Sequence, residues 1–123
     1  MCSSDLLMGT WFSDGFRQRE PEVVARFHRM LAATPKDGYL GCCGALRDAD
    51  LRESVRGIRA PTLVVTGSFD ASTPPGGAQD ICNRVRGSRL LTLPSAHLSN
   101  VECAREFTSQ VGEFLAVTKG THV

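Results

Sequence analysis

No stretch of this sequence reaches the roughly 18 consecutive apolar residues that a membrane-spanning helix needs, so neither a span nor a membrane partner is expected. Charge of one sign is scarce in excess: fourteen Lys and Arg against thirteen Asp and Glu leave a net charge of +1. So weak a field gives no reason to expect nucleic acid or anionic lipid as a partner. The opening residues lack a basic region followed by an apolar core, and no signal peptide is read there. Also missing are a Cys-x-x-Cys pair and a Cys/His cluster. The five cysteines (Cys2, Cys42, Cys43, Cys82 and Cys103) are odd in number and two are adjacent, which argues against a disulfide framework and against a zinc site. They are expected to be reduced, buried thiols of a cytoplasmic protein. There is no internal repeat and no low-complexity segment.

What is present is an ordinary globular composition, 41% hydrophobic and 22% charged, in a chain of 123 residues, enough for one domain with a core. Met1–Leu6 carries no apolar periodicity and no cap, and Cys-Ser-Ser-Asp-Leu is also the translation of a common sequencing adapter. Residues 1–8 are therefore expected to be an artefactual or disordered start. Trp11–Phe16 reads as an aromatic-rich turn. Pro21 suits a first helical position, and Val23, Val24, Phe27, Leu31 and Met30 recur at helical spacing opposite Glu22, Arg26 and Arg29. Thr34–Gly38 breaks the pattern. A second helix is predicted over Tyr39–Leu46, and a third over Leu51–Ile58, capped by Asp48 or Asp50 with Leu51, Val55 and Ile58 buried.

After Pro61 the period changes. Thr62–Thr66 is short, β-branched and apolar on both faces, the pattern of an interior parallel strand. Thr73-Pro74 opens a helix running to Val85, Gly87-Ser88 ends it, and Arg89–Leu93 reads as a second strand. Ser99 and Glu102 have the spacing of a capping box before a last helix, Val101–Val117, whose apolar side is Val101, Phe107, Val111, Phe114 and Leu115. Thr118–Val123 is expected to be a frayed tail. The order is thus helices followed by β-α-β-α. Two strands alone make a poor parallel sheet, so the second half looks like the tail of a larger doubly wound sheet, its exposed edge open to self-association.

Each strand ends in a loop with one titratable group: Asp70 after the first and His97 after the second. Loops at the carboxyl ends of parallel strands are where sites form, and neighbouring strands lie about 4.8 Å apart. A carboxylate and an imidazole so placed can pair, fixing the ring tautomer and stabilising the imidazolium formed when the histidine takes a proton. Taken singly, Asp70 would pass for a turn former and His97 for a surface residue. As an ordered pair on successive loops they point to acid–base work.

The stretches APTLVVTGSFDASTPP and RLLTLPSAHLSNVECAREFTSQVGEFL resemble the carboxyl-terminal part of an α/β-hydrolase. With WFSDGF, PEVVARFHRML and GYLGCCGALRDADLR upstream, the pattern resembles the 3-oxoadipate enol-lactonases, which open an enol-lactone in the β-ketoadipate route of aromatic catabolism. The resemblance implies that residues 9–50 are part of a helical cap and 51–117 the carboxyl-terminal part of the α/β core. It implies that Asp70 is the acid and His97 the base of a catalytic triad, and that Trp11 and Leu98 are candidates for contact with a small lactone or ester. It implies no metal and no organic cofactor. Arg17 and Arg19 are candidates for a substrate carboxylate, though flanking surface charges have the same pattern.

In this fold the nucleophile precedes the acid, on a G-x-S-x-G elbow between strand and helix. The sequence has no such elbow. Ser68 lies on the Asp70 loop itself, Ser13 and Ser54 follow no strand, and Gly41-Cys42-Cys43-Gly44-Ala45 lacks the final glycine and falls in a helical stretch. The expectation is a fragment of a serine hydrolase, about half of a fold that runs to some 250 residues, inactive alone. Other α/β-hydrolases, such as C–C hydrolases or haloperoxidase-like esterases, share the acid and histidine loops. A non-catalytic binding module is the alternative from another class.

Overall fold

Aromatic packing organises the helical half. The computed structural model describes residues 3–119, so Cys2 and the last four tail residues, His122 among them, lie outside the described residues. Helices α1 (Ser3–Trp11), α2 (Asp14–Arg19) and α3 (Pro21–Ala32) meet around buried Met8, Phe12 and Phe16. Pro21 takes the first position of α3, where its missing N–H is not needed. Val23, Val24, Phe27 and Leu31 turn inward as their spacing predicts, whereas Met30 is 56% exposed. Phe12 stacks on Phe16 at a centroid distance of 5.3 Å and meets Phe27 edge-on at 5.4 Å, the two arrangements that ring quadrupoles favour. His28 has a structural partner, with its Nε2 3.5 Å from Asp5 of α1.

Several elements depart from the sequence pattern. Helix α1 reaches back to Ser3 and buries Met8, so regular structure extends into the segment 1–8. Its apolar positions find their partner in α3, which local periodicity does not reveal. The aromatic turn shrinks to Phe12 and Ser13, because Ser13 caps α2 by accepting the Phe16 N–H. Helix α4 (Lys36–Asp48) is longer than predicted and has no buried residue; Cys42 and Cys43 are exposed thiols rather than core residues. The helix predicted over Leu51–Ile58 is replaced by a turn and a single 3₁₀ turn, Ser54–Gly57. Asp50 accepts the Arg52 N–H at 3.1 Å, a local bond that competes with helix formation. Leu51 and Ile58 are 61% and 39% exposed, leaving Val55 as the inward residue of the three.

The second half follows the predicted order. Strands β1 (Leu63–Gly67) and β2 (Arg89–Leu93) pair in parallel, from Leu63 opposite Arg89 to Gly67 opposite Leu93. Helix α5 (Pro75–Arg84) connects them and packs on both. Gly87, at a φ of 75°, makes the turn into β2, a conformation that costs other residues steric energy. The last helix is divided at Cys103 into α6 (Ser99–Glu102) and α7 (Ala104–Lys119). Phe107, Val111 and Phe114 are half-buried, but Leu115 is 52% exposed.

Among the described residues only six hydrophobic side chains are buried: Met8, Phe12, Phe16, Val85, Leu93 and Ala96. The apolar residues Leu63, Val64 and Val65 of β1 stay half-exposed. With so little apolar surface withdrawn from water, this chain is expected to unfold over a broad thermal transition. Its calorimetric enthalpy should fall well below the usual figure of about 0.7 kcal/mol per residue. A sharp two-state transition in the monomer contradicts this.

Candidate active site

The two strand-end loops are hydrogen-bonded to each other beyond the sheet. After β1 the chain reverses in a turn closed by the Asp70 N–H on the Gly67 carbonyl at 3.2 Å. On the way, Ser68 N–H donates to the Leu93 carbonyl at 2.8 Å and Phe69 N–H to the Ser95 carbonyl at 2.9 Å. The parallel register thus continues past the strand ends. Gly67 permits this approach: a Cβ there would sit 2.9 Å from the Ser95 carbonyl carbon and nearer still to the carbonyl oxygens of Ser95 and Ala96.

That turn delivers Asp70 to the lip of the sheet at 6% exposure. Its Oδ1 accepts the backbone N–H groups of Ser72 at 2.8 Å and Thr73 at 2.9 Å. Its Oδ2 accepts the Thr73 hydroxyl at 2.7 Å and lies 2.9 Å from His97 Nδ1. Burial pushes the Asp70 carboxyl up, but the Thr73 backbone and hydroxyl bonds and His97 together hold it below the usual aspartate range. The group is therefore an ionised acceptor at neutral pH, and Nδ1 of His97 must carry the proton between them. The Thr73 oxygen, 3.2 Å from Nδ1, shares that proton. Among the described residues both polar contacts of the ring are made at Nδ1. In the neutral ring Nε2 then keeps its lone pair, the form a general base requires.

Trp11 and Leu98 come close to this pair. The Trp11 ring lies 6.4 Å from the His97 ring, tilted by 31°. The Leu98 N–H donates to the Trp11 carbonyl at 3.1 Å, and its side chain packs against the Met8, Phe12 and Phe16 cluster. Arg17 is paired with Asp14 on the surface. Arg19 borders an open cleft of about 690 Å³ together with Ser13, Phe69, Ala96 and Glu102, a cleft that neither Asp70 nor His97 lines. The exposed Cys42 and Cys43 sit in mid-helix, with no strand leading into them. Among the described residues no group of three His, Cys, Asp or Glu is placed to hold a metal ion.

Two residues of this neighbourhood escape a reading of the sequence by element. Thr73 reads as a helix opener, but Pro74 is the residue preceding α5, and Thr73 instead binds Asp70 and His97. The signal is the Asp-x-x-Thr spacing, which suits side-chain-to-backbone bonding within a turn. Glu102 reads as the closing half of a capping box with Ser99. That reading is corrected: Leu98 precedes the helix, Ser99 makes no cap bond, and the Glu102 carboxylate accepts from Ser13 and Ala96.

A parallel strand pair joined by a helix, with an acid after one strand and a histidine after the next, is the carboxyl-terminal part of an α/β-hydrolase fold. The enol-lactonase from Burkholderia xenovorans LB400 superposes with a TM-score of 0.90 at 34% identity, over 92% of this chain and 44% of that one. A hydrolase from Pseudomonas aeruginosa PA01 gives 0.86 at 40% identity, over 92% and 43%. Within that class the chain resembles the 3-oxoadipate enol-lactonases. It is 37% identical to 3-oxoadipate enol-lactonase 2 of Acinetobacter baylyi over 101 residues, 82% of this chain and 38% of that protein. The chain spans about two fifths of the length of the curated enol-lactonases it matches. No protein-family model matches it.

Two outcomes follow from this geometry. Replacing Gly67 by alanine forces its Cβ against backbone that cannot swing away, and should destabilise the chain by about 3 kcal/mol, the upper part of the usual overpacking range. A denaturant midpoint unchanged in Gly67→Ala refutes the close approach. The lowered Asp70 carboxyl favours the folded state fully above the unfolded carboxyl value of about 3.9, and this contribution is lost as pH falls through the lower folded value. Stability measured from about pH 6 to about pH 2 should therefore fall less steeply in Asp70→Asn than in the unaltered chain. Equal acid limbs contradict the assignment.

Proposed function

We propose that this chain supplies the acid and the base of a hydrolase acting on small lactones or esters, of the 3-oxoadipate enol-lactonase kind. The 2.9 Å contact between Asp70 Oδ2 and His97 Nδ1 on successive strand-end loops carries the reading. The likeness to an enol-lactonase structure over 92% of this chain supports the substrate class. In this reading residues 9–50 contribute to a cap over the substrate and 51–117 to the catalytic core. Trp11, beside the His97 ring, forms part of the substrate wall, and Leu98 backs it from the core side. The nucleophile and the oxyanion hole come from outside these residues.

The chemistry follows from the tautomer. With Nδ1–H held by Asp70, Nε2 accepts the proton of the attacking hydroxyl as it adds to the lactone carbonyl. The resulting imidazolium is stabilised by the ionised Asp70, and it returns the proton to the departing enol oxygen as the ring opens. Water then attacks the acyl carbonyl, losing a proton to Nε2, and that proton passes to the nucleophile's oxygen as its bond to the acyl carbon breaks, releasing the ring-opened acid. Such an enzyme belongs to cytoplasmic catabolism of aromatic compounds by the β-ketoadipate route. The β1–β2 pair carries edges that can also support self-association, which size-exclusion chromatography of the chain tests directly.

The decisive experiment grafts this chain in place of the equivalent segment of the Acinetobacter baylyi enol-lactonase. The chain alone should give no turnover above its His97→Ala variant. The chimera should open the enol-lactone in preference to simple aryl esters, and His97→Ala should cost it about 10³-fold or more. A chimera indifferent to loss of His97 sinks the proposal, and one that prefers aryl esters removes the lactone assignment.

A further inference from the structure

Both chain neighbours of His97 are tied to the same turn of the helical half, and one of those ties runs wholly through a side chain. On the carboxyl side, Leu98 N–H bonds directly to the Trp11 carbonyl at 3.1 Å. On the amino side, Ala96 N–H donates to Glu102 Oε2 at 3.1 Å, and that same oxygen accepts the Ser13 N–H at 3.2 Å. The other oxygen, Oε1, takes the Ser13 hydroxyl. Ser13 in turn is fixed by capping α2, its Oγ accepting the Phe16 N–H at 3.3 Å. Asp70 is held by its own turn and by Ser72 and Thr73, and that turn is bonded to the His97 loop as far as the Ser95 carbonyl, through the Phe69 N–H. Past Ser95 the backbone on either side of His97 is tied to the turn at residues 11–13, so the approach of base to acid depends in part on where that turn sits.

We propose that Glu102 is a positioning residue for His97, its carboxylate locking the peptide before the histidine to the Ser13 turn so that Nδ1 stays in register with Asp70. This rests on His97 being the base of the site. Three donors converge on one half-buried carboxylate. A charged acceptor makes each of those bonds stronger than a neutral one would be. Removing it leaves the Ala96 and Ser13 N–H groups without an acceptor and frees the peptide just before His97, while Ser95 stays bonded to Phe69 and the carboxyl side to Trp11. The ring then pivots about Leu98 and its bond to Asp70 becomes intermittent. Glutamine keeps one good acceptor oxygen, so it should restore part of the lock and alanine none of it.

The test reads the His97 Nδ1–H proton by NMR in the full, nitrogen-15-labelled chain, as its rate of exchange with water. In the unaltered chain the proton should be protected, and Asp70→Asn should abolish that protection. Glu102→Ala should speed exchange by about tenfold or more through local opening, with Glu102→Gln in between. Val85→Ala, a cavity at a buried site outside these loops, supplies a variant of lowered stability for comparison at equal distance below its melting temperature. Exchange in Glu102→Ala no faster than in Val85→Ala reduces Glu102 to general stability and overturns the proposal. Should Glu102→Ala fail to fold, Ser13→Ala and Glu102→Gln decide: faster exchange in both supports the lock, and no change in either overturns it. An unprotected proton in the unaltered chain instead defeats the Asp70–His97 pairing itself, separating failure of the site from failure of the positioning role.

Discussion

The absence of one side chain lets the two strand-end loops meet. At Gly67 the backbone of β1 passes so near the carbonyls of Ser95 and Ala96 that even a methyl group would collide with them. That approach allows Ser68 and Phe69 to bond to Leu93 and Ser95, extending the parallel ladder beyond both strands. A parallel pair with a bulkier residue at its end would let the loops diverge after Leu93, and a carboxylate and an imidazole 27 residues apart in sequence would lose their common register. Glycine here serves packing rather than an unusual φ, unlike Gly87, where the left-handed turn itself is the requirement.

Given that approach, the character of Asp70 follows from how its oxygens are occupied. Exposed pairs elsewhere, such as Arg47 with Asp48 or Arg52 with Asp50, stand in water and hold little energy. Asp70 is withdrawn from water, which alone would favour the protonated acid, and two backbone N–H groups, a hydroxyl and an imidazole oppose that tendency. Three of the four donors come from the next three residues of the chain. The carboxylate is thus oriented by its own chain segment, and its second oxygen is aimed by Thr73 as well as by the histidine. An acid fixed in this way orients its partner; a freely rotating one would only attract it.

The proximity of Asp70 and His97 was legible in the sequence because it rests on order alone: a strand, an acid, a helix, a strand, a histidine. The β-α-β-α succession was legible too, since β-branched apolar runs and glycine turns mark it locally. What escaped was whatever depends on contacts between distant segments. Leu51–Ile58 has helical spacing, yet the Asp50 side chain bonds the backbone nearby, and Leu51 and Ile58 stay exposed. Met8 and Leu7 have no periodic partners in sequence, yet they pack on α3. Glu102 has the spacing of a cap, but a carboxylate goes where donors are most concentrated, and those are 89 residues away at Ser13. The adjacent cysteines read as core because cysteine is usually buried; on α4 both are exposed.

The site and the core of this chain are therefore specified at different ranges. The geometry around His97 is set by three short stretches, residues 67–73, 93–98 and 11–13, joined by hydrogen bonds and by Glu102. The apolar packing is divided between the Phe12 cluster and a few residues at the strand ends, with β1 still half in water. Hydrogen bonds of this kind fix direction but contribute only about 0.5–1.5 kcal/mol each, so they can define a site without making its surroundings rigid. The proposed proton relay needs direction locally and rigidity from the fold as a whole. The orientation of Nε2 can then be correct in each molecule whose loops are closed, while the fraction of molecules closed is governed by packing that lies elsewhere.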